Sequence, residues 1–345
     1  MRLCELRYRN WPALAMAVAL LICPQALLAW SSNGHRTVAI IAWNRLSDGA
    51  KINIQSVLNG LAPHATLADL SVCADQLRGL GAEEDDCTTV GDSDGLAPSG
   101  VCGKFSMQPQ SASWHFIDVP ITASPREAAD MEAYCPNANC VVDQIRAESQ
   151  ALQKDPQDTT SLMFLVHFVG DLHQPLHCAT EFVDGVDDRG GNNKKITWTE
   201  SQDPKYPLNL HSLWDHLVAP SDNVNDPVAL SGQLERALQG MDVTLWTQGD
   251  YVGTAALETF QIAQTHVYPD YYGKGPDGPA CFGSTLGASY HDAMEPIVNE
   301  RLEKAGVRLA ALLEQAFGSG DQPSRARRQP KPLKLPQLPE RPDFE

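Results

Sequence analysis

Basic residues are scarce in this chain, with 26 lysines and arginines against 43 aspartates and glutamates and a formal net charge of −17. The stretch 30–318 is more acidic still, with 17 basic and 38 acidic side chains. Such a surface excludes a protein that grips duplex DNA chiefly through its phosphates, and it favours solubility. No Asn-x-Ser/Thr sequence occurs, so N-glycosylation is not expected, which leans toward a bacterial envelope or secreted protein. The cysteines form no compact ligand set, which disfavours a Cys-rich structural zinc site. Strand-like pieces are few and no internal repeat is present.

The two ends differ from the middle. Arg2, Arg7 and Arg9 precede an apolar run from Ala13 to Ile22, and Ala29 offers a small residue before a cut. This reads as a secretory signal over residues 1–29, leaving Trp30 as the first mature residue. A membrane anchor is disfavoured because the run is short and broken by Pro24, and a lipoprotein cut before Cys23 by Ile22. Residues 319–345 carry six prolines with Arg325, Arg327 and Arg328 clustered among them, and read as a Pro-rich flexible tail. The remainder, residues 30–318, is long enough for one domain with a sizeable core.

Seven cysteines follow the signal: Cys73, Cys87, Cys102, Cys135, Cys140, Cys178 and Cys281. In an exported chain they should pair and leave one over. Cys135 with Cys140 and Cys87 with Cys102 are the expected neighbours.

Apolar residues recur at three- and four-residue steps over Val38–Leu46, Val141–Leu152, Ser161–Leu172, Pro227–Leu238, Thr254–His266 and Ala288–Phe317. Strands are expected at His115–Val119, Glu181–Val183 and Lys195–Trp198, and a surface loop over Gly79–Gly103. The fold class is therefore mainly α, a single-domain helical bundle with a small β-hairpin.

Two His-x-x-x-Asp pairs stand out: His167 with Asp171, and His211 with Asp215. Residues i and i+4 of a helix share a face, so each pair offers an imidazole and a carboxylate to one point. The first pair lies in an apolar run that ends in Leu172-His173-Gln174-Pro175-Leu176-His177. One buried His or Asp is most often a hydrogen-bonded core residue. Burying two such pairs together with His177 would be costly without a cation. Nitrogen and oxygen donors without cysteine suit Zn²⁺ in a hydrolytic site. His35, Asp75 and His115 are further candidates, each weak alone.

Together with Asp188-Arg189-Gly190-Gly191-Asn192 and Asn209-Leu210-His211, these residues form a pattern. The chain resembles the three-zinc, single-strand-specific nucleases and 3′-nucleotidases of the S-one/P-one type, from Trp30 to about Phe317. The resemblance implies a fold related to zinc phospholipase C and three Zn²⁺ per chain. One would be held by Asp75, His115, His167 and Asp171. A second would be held by His35, the bridging carboxylate of Asp171, and the amine and carbonyl of Trp30. His177, His211 and Asp215 would hold the third. Trp30 serves only with a free α-amino group, so the cleavage site is also a functional question.

The implied reaction is hydrolysis of single-stranded DNA or RNA to 5′-phosphate products by a metal-bridging hydroxide, with 3′-nucleotides as further substrates. A small nucleic-acid substrate at a metal cluster is compatible with an acidic surface, since the cluster's charge dominates its own site. Arg78, with Asp75 and Asp171 in the catalytic set, would offset charge on the phosphoryl oxygens; a surface salt bridge is the alternative. Phe116 and Asp118 would form a base pocket, with core packing the alternative for Phe116, and Asn192 would face substrate or a neighbouring ligand. His173 points elsewhere on the helix and reads as structural or as a support behind the ligands. Ser31 and Cys73 depart from the family's usual glycine and tryptophan without removing a ligand. No stable duplex binding, no membrane span after signal removal, and a secreted or periplasmic monomer are expected. The alternatives are a zinc phospholipase C-like phosphodiesterase, and a non-catalytic zinc-binding protein whose sites would be closed by four protein ligands.

Overall fold

Among the described residues, the first helix and the long last one form the spine of the molecule. The computed structural model describes residues 30–78, 100–200, 209–217, 226–271 and 283–318. The expected signal, the expected tail and residues 79–99 of the expected loop lie outside the described residues. In chain order the helices are α1 (Ser32–Arg45), α2 (Asp48–Leu61), α3 (Leu67–Leu70), α4 (Cys73–Leu77), α5 (Val141–Lys154), α6 (Thr159–Asp171), α7 (Leu210–His216), α8 (Pro227–Ala237), α9 (Tyr251–Ile262), α10 (Tyr268–Tyr271) and α11 (Ala288–Phe317). The strands are two-residue pieces: β1 (Phe182–Val183), β2 (Val186–Asp187), β3 (Thr197–Trp198) and β4 (Thr285–Leu286). The protein is mainly α, as its periodicity indicates.

Helix α1 packs chiefly on α11, and Gly306 lets the two approach: a Cβ there would stand 2.4 Å from Ile41 Cγ2. Helix α6 is apolar except for the face carrying His167 and Asp171, and is buried from Ser161 to Asp171 between α5, α11 and the short α3 and α4. Its start is set by Asp158, whose carboxylate accepts from the backbone N–H groups of Thr160 and Ser161. It ends at Asp171, and Pro175 opens the following 3₁₀ turn at Pro175–His177. Two candidate ligands thus lie on a rigid central helix and a third just beyond it.

Several local expectations need correction. His115–Val119 is not a strand. His115 closes a 3₁₀ helix at Pro109–His115, and the extended residues after it make single backbone contacts with His177 and Thr180, with an isolated bridge at Pro120–Thr180. Pro120 has no N–H to extend a ladder. The other two expected strands shrink to Phe182–Val183 and Thr197–Trp198. The first pairs with β2 in the anticipated hairpin, while the second pairs in parallel with β4. Helix α2 was not apparent in the sequence, because Gly49, Ile52, Ile54, Val57 and Gly60 are weak helix formers. Burial of Ile54, Val57 and Leu58, with Ser47 capping Ala50 N, overrides that preference.

Cys135 and Cys140 are bonded as anticipated, but Cys102 pairs with Cys73, not Cys87. Proximity along the chain misled here: the fold returns Val101 and Cys102 to the start of α4, where the Cα atoms of Cys73 and Cys102 lie 5.0 Å apart. Cys178 is a buried free thiol, and Cys87 and Cys281 lie outside the described residues.

Candidate metal centre

Helix α6 sets His167 and Asp171 one turn apart on one face, with His167 Nε2 3.3 Å from Asp171 Oδ2. The second pair, on α7, holds His211 Nε2 3.8 Å from Asp215 Oδ2. Asn209 caps α7 through a capping box with Ser212, fixing where the helix begins and which side chains turn inward.

Around the first pair, three separate segments converge. His115 Nδ1 lies 2.8 Å from Asp171 Oδ2, and Asp75 Oδ1 lies 3.5 Å from His167 Nε2. His35 stacks on His167 with ring centroids 4.0 Å apart, its Nε2 3.3 Å from Asp171 Oδ1. Within each of the sets His35/Asp75/His167, His115/His167/Asp171 and His177/His211/Asp215, the candidate ligand atoms lie within 4.8 Å of one another. The set Cys135/Cys140/Asp143 is also close, but its sulfurs are spent in a disulfide.

The donor chemistry is that of a cation site. His35 Nε2, Asp75 Oδ1, His167 Nε2 and Asp171 Oδ1 are buried and make no hydrogen bond within the protein. Backbone carbonyls face Nδ1 of three rings at 2.7 Å: Ser71 for His167, His115 for His177 and Gly190 for His211. In its neutral form each such ring donates from Nδ1 and presents Nε2 as a lone pair directed inward. The Nε2 atoms of His177 and His211 stand 3.2 Å apart, an arrangement that a shared cation relieves. These residues fit a bound metal ion.

The electrostatics agree. Burial opposes charge on His167, yet Asp171 and Asp75 outweigh it and push the imidazole up to about 10. The cluster draws positive charge to that point. Burial dominates at His35 and His115, holding them down at about 3 and about 4. Burial also raises Asp215 well above the usual carboxylate range, against the Gln174 hydrogen bond and with Asp75 and Asp171 adding to the rise.

Arg78 is 2% exposed, with Nη2 3.2 Å from Asp75 Oδ1, and none of its guanidinium nitrogens makes a hydrogen bond in the protein. A buried fork with donors to spare, beside a metal-type cluster, suits an anion such as phosphate. Beyond His177 and His211 opens a cavity of about 140 Å³ lined by Phe116, Asp118, Leu176, Asp187, Arg189 and Gly190. Phe116 is half-buried, and the side chain of Asp118 reaches water. The protein surrounding Asp118 raises its carboxyl to about 7, with Asp187 and Asp188 adding to the rise and Arg189 opposing it.

The family model for S1/P1 Nuclease matches residues 30–318. The chain belongs to the S1/P1 nuclease family. Nuclease S1 of Aspergillus oryzae (strain ATCC 42149 / RIB 40) is 27% identical over 317 residues, covering 87% of this chain and 96% of its own length. Nuclease P1 of Penicillium citrinum is 27% identical over 306 residues, covering 84% and 98%. Endonuclease 4 of Arabidopsis thaliana is 34% identical over 174 residues, 47% of this chain and 52% of its own. As an S1/P1 nuclease the protein is a hydrolase of phosphodiester bonds in nucleic acid.

Within this S1/P1 nuclease, eight of the nine ligand candidates fall into the clusters just described. The ninth, Trp30, is buried, and the next residue ties that end to the second pair, Ser31 N donating to Asp215 O at 2.7 Å. Phe116 and Asp118 line the cavity; Asn192 does not, and its amide instead donates to Arg189 O at 2.8 Å, bracing the glycine loop. His173 points away from the cluster, its Nδ1 facing Val169 O and its Nε2 facing Arg308 Nη1 at 2.9 Å. Sequence reading assigned no role to Gln174, whose Nε2 donates to Asp215 Oδ1 at 2.7 Å while its Oε1 accepts from Leu176 N. Its one signal was an uncharged amide between candidate ligands Asp171 and His177. Nor did the sequence reveal the carbonyls of Ser71, His115 and Gly190, which belong to no side chain.

Proposed function

We propose that this nuclease is a zinc-dependent phosphodiesterase that cleaves single-stranded DNA or RNA to 5′-phosphate products and also hydrolyses 3′-nucleotides. The observation that carries the reading is the convergence of buried, non-hydrogen-bonded His and Asp atoms beside the unsatisfied guanidinium of Arg78. Three Zn²⁺ would be held by Asp75, His115, His167 and Asp171; by His35, Asp171 and the amine and carbonyl of Trp30; and by His177, His211 and Asp215. Bound there, zinc supplies an acidified attacking water and stabilises charge on the phosphoryl and leaving oxygens.

The residues of the chain do the rest. Asp171 directs Oδ1 toward His35 and Oδ2 toward His115 and His167, so one carboxylate serves both halves of the cluster. Arg78, itself 2% exposed, donates to phosphoryl oxygens in a site shielded from water, where such donors count most. Gln174 holds Asp215 in one orientation. Phe116 stacks on a base while Asp118 accepts hydrogen bonds from its edge. Only an unpaired base can enter such a pocket, which supports a single-strand preference. The ligand role of Trp30 requires removal of residues 1–29, which fits a secreted or periplasmic protein. Among the described residues no helix is long and apolar enough to cross a membrane.

The test is hydrolysis of single-stranded DNA and RNA by protein beginning at Trp30, with and without a zinc chelator, followed by analysis of the product ends. Chelator-sensitive cleavage leaving 5′-phosphates is expected. Undiminished cleavage after complete metal removal, or 3′-phosphate ends, overturns the reading.

A further inference from the structure

The hairpin β1–β2 exposes more apolar surface than a turn of its size requires. Of eight exposed large hydrophobic side chains among the described residues, three lie here: Phe182, Val183 and Val186. Phe182 is the only aromatic of the eight and is 53% exposed. Strand propensity accounts for the valines, which pair with each other across the hairpin.

The register of the hairpin singles out Phe182. It pairs with Asp187, so the two side chains share a face with Cβ atoms about 5 Å apart. Asp187 lines the cavity that holds Phe116 and Asp118. The valine pair occupies the opposite face. The hairpin is also held rigidly beside that cavity. Asp184 and Gly185 make its two-residue turn with φ of 51° and 78°, the left-handed pair that such turns demand. At its base, Thr180 N donates to Val119 O and Ile121 N to Thr180 O, both at 2.9 Å, stitching it to the segment that carries Phe116 and Asp118. Asp188 Oδ1 accepts from Glu181 N at 2.9 Å and Thr180 Oγ1 at 3.0 Å.

An exposed ring on a rigid support, one residue pair from a base-sized cavity, has the geometry of a stacking surface. We propose that Phe182 stacks on the nucleobase adjoining the one held by Phe116 and Asp118, so that the site binds at least two successive nucleotides of a single strand. The proposal rests on the single-stranded nucleic-acid reading above. Stacking asks for no charge and is tolerant of base identity.

The experiment compares kcat/KM for a 3′-mononucleotide, a dinucleotide and a single-stranded hexanucleotide in the zinc-loaded wild type, Phe182→Ala, Phe182→Trp and Val186→Ser. In Phe182→Ala the dinucleotide-to-mononucleotide ratio is expected to fall about tenfold, as for the loss of one base–aromatic stack. Phe182→Trp should keep or raise the ratio, and Val186→Ser, on the other face, should not shift it. The inference is overturned by an unmoved ratio in Phe182→Ala or by an equal fall in Val186→Ser. A wild type that cleaves none of the three substrates overturns the parent reading instead. Cleavage with an unmoved ratio overturns this inference alone.

Discussion

His115 Nδ1 lies 2.8 Å from Asp171 Oδ2, although 56 residues separate them in the chain. The same carboxylate meets His167 from its own helix and His35 from α1. One side chain therefore ties three segments to a single point, and its loss removes a ligand from both halves of the cluster.

Asp171→Ala is expected to abolish hydrolysis and to lower the bound metal. Turnover on single-stranded DNA and metal content by mass spectrometry check this together. Near-normal turnover with full metal content would remove the shared-carboxylate mechanism.

Arg78→Ala should lower kcat by about 10²–10³, the range for loss of a preorganised donor to a charged transition state. Bound metal should be retained, since Arg78 supplies no ligand atom. Arg78→Lys should recover only part of the loss, because a point charge cannot replace the planar fork. A kcat within twofold of wild type in Arg78→Ala would return this residue to a structural ion pair with Asp75.

Gln174→Ala frees Asp215 without removing a candidate ligand. Affinity for the metal at the His177/His211/Asp215 set should fall about 10–100-fold, as for other residues that orient a ligand. Titration against a competing chelator measures it, and an unchanged affinity would mean that α7 alone positions Asp215.

Gly170 leaves room for His35: a Cβ there would sit 2.7 Å from His35 Nδ1, whereas nothing lies within 4 Å of a Cβ at Gly60 in α2. Gly170→Ala should destabilise the protein by about 1–3 kcal/mol through overpacking and displace His35. Gly60→Ala should be neutral or stabilise by up to about 1 kcal/mol. Urea unfolding of both variants separates crowding from backbone entropy.

Burial would raise the carboxyl of Glu258, but Arg308, Arg301 and Lys304 outweigh it and hold it down at about 2. Its folded value lies below its unfolded one, so its contribution to stability is present above about 4.5 and is lost as pH falls toward 2. Glu258→Gln should be less stable than wild type at pH 7 by about 2 kcal/mol, and the gap should close with acidification. Denaturation at pH 7, 4 and 3 checks the sign, and a constant gap refutes the linkage.

Sequence and structure divide in a physically intelligible way. The His167/Asp171 and His211/Asp215 pairs were legible because a helix puts i and i+4 on one face whatever surrounds it. The helices α5, α6, α8 and α11 were legible because their apolar spacing follows the helical period. Helix α2, the Cys73–Cys102 bond and the role of Gln174 were not, since each depends on segments brought together from elsewhere in the chain. The orientation of Phe182 also required the hairpin register, for a one-residue slip would turn it to the other face. By itself the sequence determined which donors the protein owns and which share a helical face, because those are properties of local spacing. Only the tertiary structure decided that His35 and His115 meet Asp171, that Asp75 meets His167, and that backbone carbonyls aim the imidazoles inward, because all depend on packing between segments far apart in the chain.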